Sequence, residues 1–447
     1  MSERTRNSRT DNSGGEGDLL TGIRKVLEHP IGRNASALYS AQVATYLFPL
    51  LTTPFLARVL GPHSWGLIIF SLAFAGWVTV IIEYGFDLSA TRELARLRGD
   101  AAGISDIAAG VLGAKTLLVI ASLIITLVAT LVVPLLRANL PYLAWGWLLA
   151  VSQGLFPGWY FQGIEKMRPL ALLTFGSKAL VTLGIFLVIR QPEDGWKILA
   201  LYALASLVAT AAATYLLYRK VTFRLPGRAR TRLSLTNSSS MFLYRGAVSL
   251  YTTANALVLG LVASPASVAF FGGAERISKA LTTLTQPVSQ AIFPRISSLL
   301  ESKPERASRL IRLSLGAMSA LGSCLGVGLF FASPLIVRLL LGRGFETTVP
   351  VLRVLSLTLP LIAISNVLGL QWLVPLGKDG VFNRIIISAG LLNLALAVTL
   401  GLRFGALGMA WAVVLAELFV TFTMAVVVWR DRRIPVRVGR NEVPHEG

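Results

Sequence analysis

The chain has 447 residues, of which 54% are hydrophobic and only 14% charged, with a mean hydropathy of +0.66. A water-soluble domain could not hide that much apolar side chain in one core, so the soluble globular classes are excluded. The formal charge of +20 would ordinarily suggest nucleic acid, but the cations gather beside apolar runs, where they record topology and affinity for anionic membrane lipid. Nucleic acid is therefore not an expected partner.

Residues 1–34 are polar, rich in Arg, Ser and Gly, and read as a flexible cytoplasmic tail without a signal-peptide core. Crossing ~30 Å of hydrocarbon takes ~20 apolar residues per helix. Blocks of that kind run at 36–58, 65–86, 106–133, 140–160, 169–190, 197–218, 238–262, 268–293, 310–332, 350–375, 383–401 and 406–429. The predicted fold is an all-α polytopic membrane protein with about 12 transmembrane helices.

Cations alternate between the gaps. Arg92, Arg96 and Arg98, then Lys166 and Arg168, then the six cations of 219–237, then Arg295, Lys303, Arg306 and Arg309 all fall on one side, together with the C-terminal tail. The opposite gaps are poorer, which assigns both termini of a multi-pass chain to the cytoplasm. The exception is 333–349, whose SPLIVRLLLGRGFE pattern predicts a short amphipathic helix lying on the outer surface.

A weak internal repeat organises the spans. Thr52, Thr53, Ser64 and Phe70 match Thr252, Thr253, Ser264 and Phe270 at an offset of 200. Two six-helix bundles related by a pseudo-two-fold repeat are expected, at 35–218 and 238–429. The basic segment 219–237 becomes a cytoplasmic linker between them, and 430–447 a second tail. Such repeats mark transporters whose halves rock about a central site.

Catalytic signatures are missing: there is no Walker-type loop and no HExxH, and Cys324 is the single cysteine. No metal site, cofactor or enzymatic activity is expected. What stands out instead is a set of ionisable residues within the spans, each costly in hydrocarbon by several kcal/mol. The cations are Lys115, Lys178, Arg245, Arg276 and Lys279. Arg245 shares a helix face with Ser249 and Thr252, Lys178 lies at four-residue spacing from Thr174 and Thr182, and Tyr39, Gln42 and Tyr46 gather on one side of the first span. These faces are expected to line a cationic lumen between the halves. Plainer readings compete: Glu275 and Lys279 can pair at i,i+4, and Arg276 and Lys115 can snorkel to an interface. Glu83, Asp87, Glu275 and Glu417 are the candidate ion-coupling acids, although Glu83 and Asp87 lie at a cytoplasmic end. Gly322 and Gly326 form a GxxxG suited to close helix packing.

Several strings carry a family resemblance: LYSAQVATYLFPLLTTPFLARVLGPHSWG at 38–66, EYGFDLSATRELARLRGD at 83–100, GWYFQGIEKM at 158–167, and LYRGAVSLYTTANALVLGL through QAIFPRISSL between 243 and 299. The chain resembles the O-antigen and exopolysaccharide repeat-unit flippases (Wzx type) of the multidrug/oligosaccharidyl-lipid/polysaccharide exporter superfamily. The resemblance implies an inverted V of two bundles, alternating access, and an undecaprenyl-diphosphate-linked glycan as substrate. It also implies a polysaccharide polymerase and chain-length machinery as partners. Members commonly read YGFNLSATR where this chain has Asp87, so no role transfers to that position. Three rivals remain: a cation-coupled multidrug exporter should line its cavity with acids, a lipid II flippase is closer but fits the quoted strings less well, and a polysaccharide polymerase or ligase should carry a large periplasmic loop. The longest outer gap here is 17 residues.

The cation asymmetry predicts that alkaline phosphatase fused within 220–236 or after Arg433 is inactive. Activity from either fusion would overturn the assigned orientation.

Overall fold

A computed structural model describes residues 30–97, 100–284 and 286–431. Side chains are described from Phe48 onward, except at 50, 244, 247, 248, 250–252, 286–288, 290, 291, 301 and 431. The predicted terminal tails thus lie almost wholly outside the described residues. Within them every regular element is a helix, because a backbone in hydrocarbon must satisfy its hydrogen bonds within its own segment.

Helix α1 (Pro30–Glu83) breaks at Gly61, where φ of 69° and ψ of 176° leave the helical region, so two spans share one helical run. A left-handed bend at Tyr84 and Gly85 then redirects the chain into α2 (Phe86–Arg96). There follow α3 (Ala101–Val132), α4 (Pro134–Ala138), α5 (Leu140–Leu155), α6 (Gly158–Gly163), α7 (Met167–Val188) and α8 (Gly195–Tyr218). The second half holds α9 (Arg228–Thr252), α10 (Ala254–Val262), α11 (Pro265–Thr283), α12 (Gln286–Ser302), α13 (Pro304–Leu340), α14 (Thr348–Ser356), α15 (Thr358–Asn366), a π-helical turn at Val367–Leu373, and α16 (Asp379–Asp431). Like α1, α16 is a hairpin: it leaves the helical region at Gly405, and a Cβ on Gly408 would lie 2.0 Å from the Leu400 carbonyl oxygen. Eight residues along a straight helix span about 12 Å, so the chain has turned back.

Among the described residues, 7 helical stretches are long and apolar enough to cross a membrane. The stretches containing Gly61 and Gly405 each fold into two spans. The predicted spans at 140–160, 238–262 and 268–293 fall on α5–α6, α9–α10 and α11–α12, each helical but interrupted. The repeat has a physical counterpart in two similar turns. Gly61 precedes Pro62, and Ser264, which caps α11 by accepting from the Ser267 amide, precedes Pro265. Both turns end one span and start the next with proline, whose fixed φ suits the first helical position.

These turns meet. Gly66 lies so near Pro265 that a Cβ would fall 1.7 Å from its carbonyl oxygen, and a Cβ on Gly260 would strike the Phe70 ring at 2.1 Å. Around this contact Trp65, Phe70, Leu259, Phe271, Leu341 and Phe345 form one apolar cluster that joins the halves at the end assigned to the outside. A smaller cluster of Phe86, Leu94, Trp159, Tyr160 and Leu217 fills the N-terminal half at the end assigned to the cytoplasm.

Two segments differ from expectation. Residues 333–340 are no separate surface helix: α13 runs on through Pro334 to Leu340, because Val337, Leu341 and Phe345 are drawn into the apolar cluster joining the halves. The basic segment is an open linker only to Gly227; from Arg228 it is the start of α9. Asp106 on α3 answers its charge, meeting Arg224 and holding Arg230 at 2.7 Å.

The Gly66 contact generates a stability prediction. Alanine for glycine in a helix ordinarily gains ~1 kcal/mol, but Gly66→Ala must push two backbones apart at a cost of roughly 1–3 kcal/mol. A lowered Tm in detergent is expected for Gly66→Ala, and none for Gly76→Ala, which meets nothing within 4 Å. Equal Tm values for the two variants would contradict the close approach.

Candidate functional site

A cavity of about 500 Å³ opens where α1, α2, α3, α5, α6, α7 and α8 converge. Its charged lining consists of Lys115 from α3, Lys178 from α7 and Arg245 from α9, facing Glu83 from α1 and Asp87 from α2. Hydroxyls and amides fill the gaps: Thr79, Gln153, Gln162, Thr174, Ser177 and Ser206. Trp159 and Tyr202 add aromatic surface.

Each charge is held for a local reason. Lys115 is only 4% exposed and does not snorkel; its Nζ donates at 3.3 Å to the Phe156 carbonyl. That carbonyl is available because Pro157 lacks an N–H and ends α5, leaving the last helical carbonyls without intrahelical donors and attractive to a cation. Lys115 also lies within electrostatic reach of Glu83. Asp87 stands in the first turn of α2, where the helix dipole favours an acid, and its Oδ2 meets Arg245 Nη2. Its other oxygen, Oδ1, is buried without a hydrogen-bond partner among the described residues.

The structure thus brings together Lys115, Lys178, Arg245, Glu83 and Asp87, but not quite where expected. The predicted lumen lay between the halves, whereas among the described residues every lining residue other than Arg245 precedes the basic linker. The cavity is a pocket of the N-terminal half into which the C-terminal half reaches with one guanidinium. Arg245 is also paired, although its own helix offers no acid, because α2 supplies one.

The remaining candidates lie elsewhere. Arg276 places its guanidinium 4.9 Å over the Trp65 ring. Glu275 and Lys279 form the i,i+4 ion pair, at 3.0 Å. Glu417 is buried in α16, and neither it nor Ser249 lines the cavity. The side chains of Tyr39, Gln42, Tyr46 and Thr252 lie outside the described residues. Sequence reasoning missed Gln153, Trp159, Gln162, Tyr202 and Ser206. Trp159 and Gln162 fall in the GWYFQG string, noticed for its resemblance and not for its chemistry; Tyr202 and Ser206 were legible as polar atoms one turn apart inside an apolar span.

Three cations against two carboxylates leave a positive balance suited to an anion, and the hydroxyls, amides and rings around them suit a polyol. Among the described residues no group of three or more His, Cys, Asp or Glu could hold a metal ion.

Comparison with known proteins follows the same direction. The model of the family described as "Polysaccharide biosynthesis protein" matches residues 31–300. The chain is 33% identical over 406 residues to the "Putative O-antigen transporter" of Escherichia coli (strain K12), across 90% of this chain and 97% of that protein. It is 28% identical to the protein of the same description from Shigella dysenteriae, across 88% and 98%. Among solved structures its fold is similar to the lipid II flippase MurJ in an inward closed conformation, with a TM-score of 0.68 at 14% identity over 89% of this chain and 87% of that one. An inward-facing multidrug transporter of the MATE family and MOP superfamily gives 0.62 at 14%, over 89% and 99%.

Accessibility tests the cavity. In a Cys324→Ser background, Ser177→Cys and Ser206→Cys should react at least about tenfold faster with a small charged thiol reagent than Leu180→Cys and Leu207→Cys, because only a hydrated thiol ionises readily. Leu180 and Leu207 are 62% and 43% exposed on the apolar outer faces of α7 and α8. Equal rates at all four positions would remove the hydrated cavity.

Proposed function

The chain belongs to the polysaccharide biosynthesis protein family, and on that premise we propose that it flips undecaprenyl-diphosphate-linked oligosaccharide repeat units across the bacterial inner membrane for surface polysaccharide assembly. The observation that carries the reading is the cluster of Lys115, Lys178 and Arg245 in one cavity among apolar helices. A lipid diphosphate brings about two negative charges and a sugar headgroup that hydrocarbon will not accept, while its polyprenyl tail is at home there. A carrier needs buried cations for the diphosphate and hydroxyl, amide and aromatic side chains for the sugar. Thr174, Ser177, Ser206, Gln153 and Trp159 supply the second set beside the first. The volume falls in the ~300–1,000 Å³ range of small-ligand sites, enough for a headgroup whose tail stays in lipid.

The movement in this reading is alternating access. Bundles 35–218 and 238–429 rock about the basic linker, opening the apolar cluster at Gly66 and Pro265 in one direction and the contact of α2 with α9 in the other. Both termini stay in the cytoplasm, and the released repeat unit passes to a polymerase and its chain-length machinery.

A cation-coupled drug exporter shares the fold and would use Glu83 and Asp87. Asp87, however, is neutralised by Arg245, and the remaining balance repels cationic drugs. A polymerase or ligase would need a catalytic extramembrane region, and the described outer connections, such as 189–194 and 341–347, are short.

Charge chemistry at Arg245 tests the proposal. Arg245→Lys should keep part of the surface glycan in a flippase-null host, since the charge survives while the planar fork is lost. Arg245→Ala and Arg245→Glu should abolish it at equal protein level by immunoblot. Loss of one charge-assisted contact costs ~1.5–3 kcal/mol, or roughly ten- to a hundredfold in headgroup affinity. Wild-type glycan from the Ala variant would sink the binding role.

A further inference from the structure

At the end assigned to the cytoplasm α9 packs on both α3 and α2, and the cavity's own ion pair is part of the contact with α2. The Ser89 and Ser238 hydroxyls lie 2.6 Å apart. Tyr84 stacks on Phe242 with ring centroids 4.5 Å apart, and Gly85 backs so closely on Met241 that a Cβ would fall 2.7 Å from the Met241 Cβ. These contacts involve no charge and no cavity residue. The fourth, between Asp87 and Arg245, differs because both partners line the cavity.

Asp87 is incompletely satisfied there. One oxygen meets Arg245, while the other is buried with no hydrogen-bond donor among the described residues, so the protein satisfies the carboxylate through one oxygen only. A single-point pair of this kind holds a guanidinium less firmly than a ligand that accepts two parallel N–H bonds. A diphosphate offers those oxygens, and Lys115 and Lys178 on the cavity wall add attraction that Asp87, fixed in the first turn of α2, already has in place and cannot increase.

We propose that Asp87 is an internal competitor for the anionic headgroup: its carboxylate holds Arg245 until a ligand diphosphate takes the guanidinium over, and that exchange releases α2 from α9. The proposal rests on the reading that the cavity binds a lipid diphosphate. It gives Asp87 two effects, since the competitor both sets how many anionic oxygens a ligand must bring and couples occupancy to loosening of the inner contact. A lipid monophosphate, with fewer oxygens to spread over the three cations, displaces the carboxylate less well.

The test uses the full chain in lipid nanodiscs, with farnesyl diphosphate and farnesyl monophosphate as probes. Asp87→Asn keeps the shape but removes the competing charge, so farnesyl diphosphate should bind about tenfold tighter, and the preference for diphosphate over monophosphate should narrow. A second measurement keeps Asp87 native: with Cys324→Ser, the pair Ser89→Cys and Ser238→Cys should cross-link readily under oxidant, and farnesyl diphosphate should suppress the cross-link. Adding Asp87→Asn should lower cross-linking before any ligand is present. Unchanged or weaker diphosphate affinity in a well-folded Asp87→Asn protein would overturn the proposal. If that variant fails to fold, cross-linking that ignores the ligand in the native-Asp87 protein overturns it instead. The underlying reading fails differently: wild type would not bind farnesyl diphosphate, or would bind it equally well after Arg245→Gln. Binding that needs Arg245 but ignores Asp87 defeats the competitor alone.

Discussion

A charge carried into hydrocarbon must be answered by another group, and much of this structure follows from how each one is answered. Lys115 finds the carbonyl left open where Pro157 ends α5. Arg276 lies over Trp65, Lys279 pairs with Glu275 one turn away, and Arg245 reaches across to Asp87. An unanswered ion at membrane depth costs several kcal/mol, comparable to a large share of a domain's net stability, so these pairings constrain how helices can pack. They also differ in what they leave over. The Glu275–Lys279 pair closes within one helix, whereas the Lys115, Lys178 and Arg245 group retains a positive balance and room for a ligand.

Glycine sets the geometry in which those charges meet. At the outer end Gly66 and Gly260 let two backbones approach to distances that no side chain would allow, and the apolar cluster around Trp65, Phe271 and Phe345 closes over them. At the inner end Gly85, in a left-handed conformation that favours glycine, lets α2 lie against α9. The two ends are built of different materials. The outer contact is apolar, while the inner one, where α2 and α3 both pack on α9, mixes an aromatic stack with ion pairs, one of them shared with the cavity. A ligand that is anionic therefore acts directly on the inner contact and only indirectly on the outer one.

The cavity is also asymmetric with respect to the repeat. The two halves share a turn chemistry at Gly61–Pro62 and Ser264–Pro265, yet among the described residues the lining comes from the first half, with Arg245 contributed by the second. The C-terminal half spends its polar side chains on closed arrangements, such as Gln371 at the π-helical turn, which accepts from Ser314 at 2.6 Å and donates to Ser289 at 3.3 Å. A satisfied buried network rigidifies the helices that carry it. That division fits one half that receives a headgroup and another that acts as its lever.

The sequence by itself determined the class of the protein and the residues for which hydrocarbon would be costly. Run length gave helices that cross a membrane, and Lys115, Lys178, Arg245, Glu83 and Asp87 stood out because the cost of burying a charge belongs to one residue and its immediate neighbours. Only the tertiary structure decided which group answers each charge. That Arg245 meets Asp87, that Lys115 is held by a carbonyl instead of reaching water, and that the Glu275 cluster stays out of the cavity all depend on the register between helices far apart in the chain. So does the continuation of α13 through 333–340, where an amphipathic pattern suited to a membrane surface was claimed by the apolar cluster. Helical periodicity specifies which face of a helix is apolar, but not which neighbour covers it; that is fixed by close approaches such as Gly66 on Pro265, which local sequence does not encode.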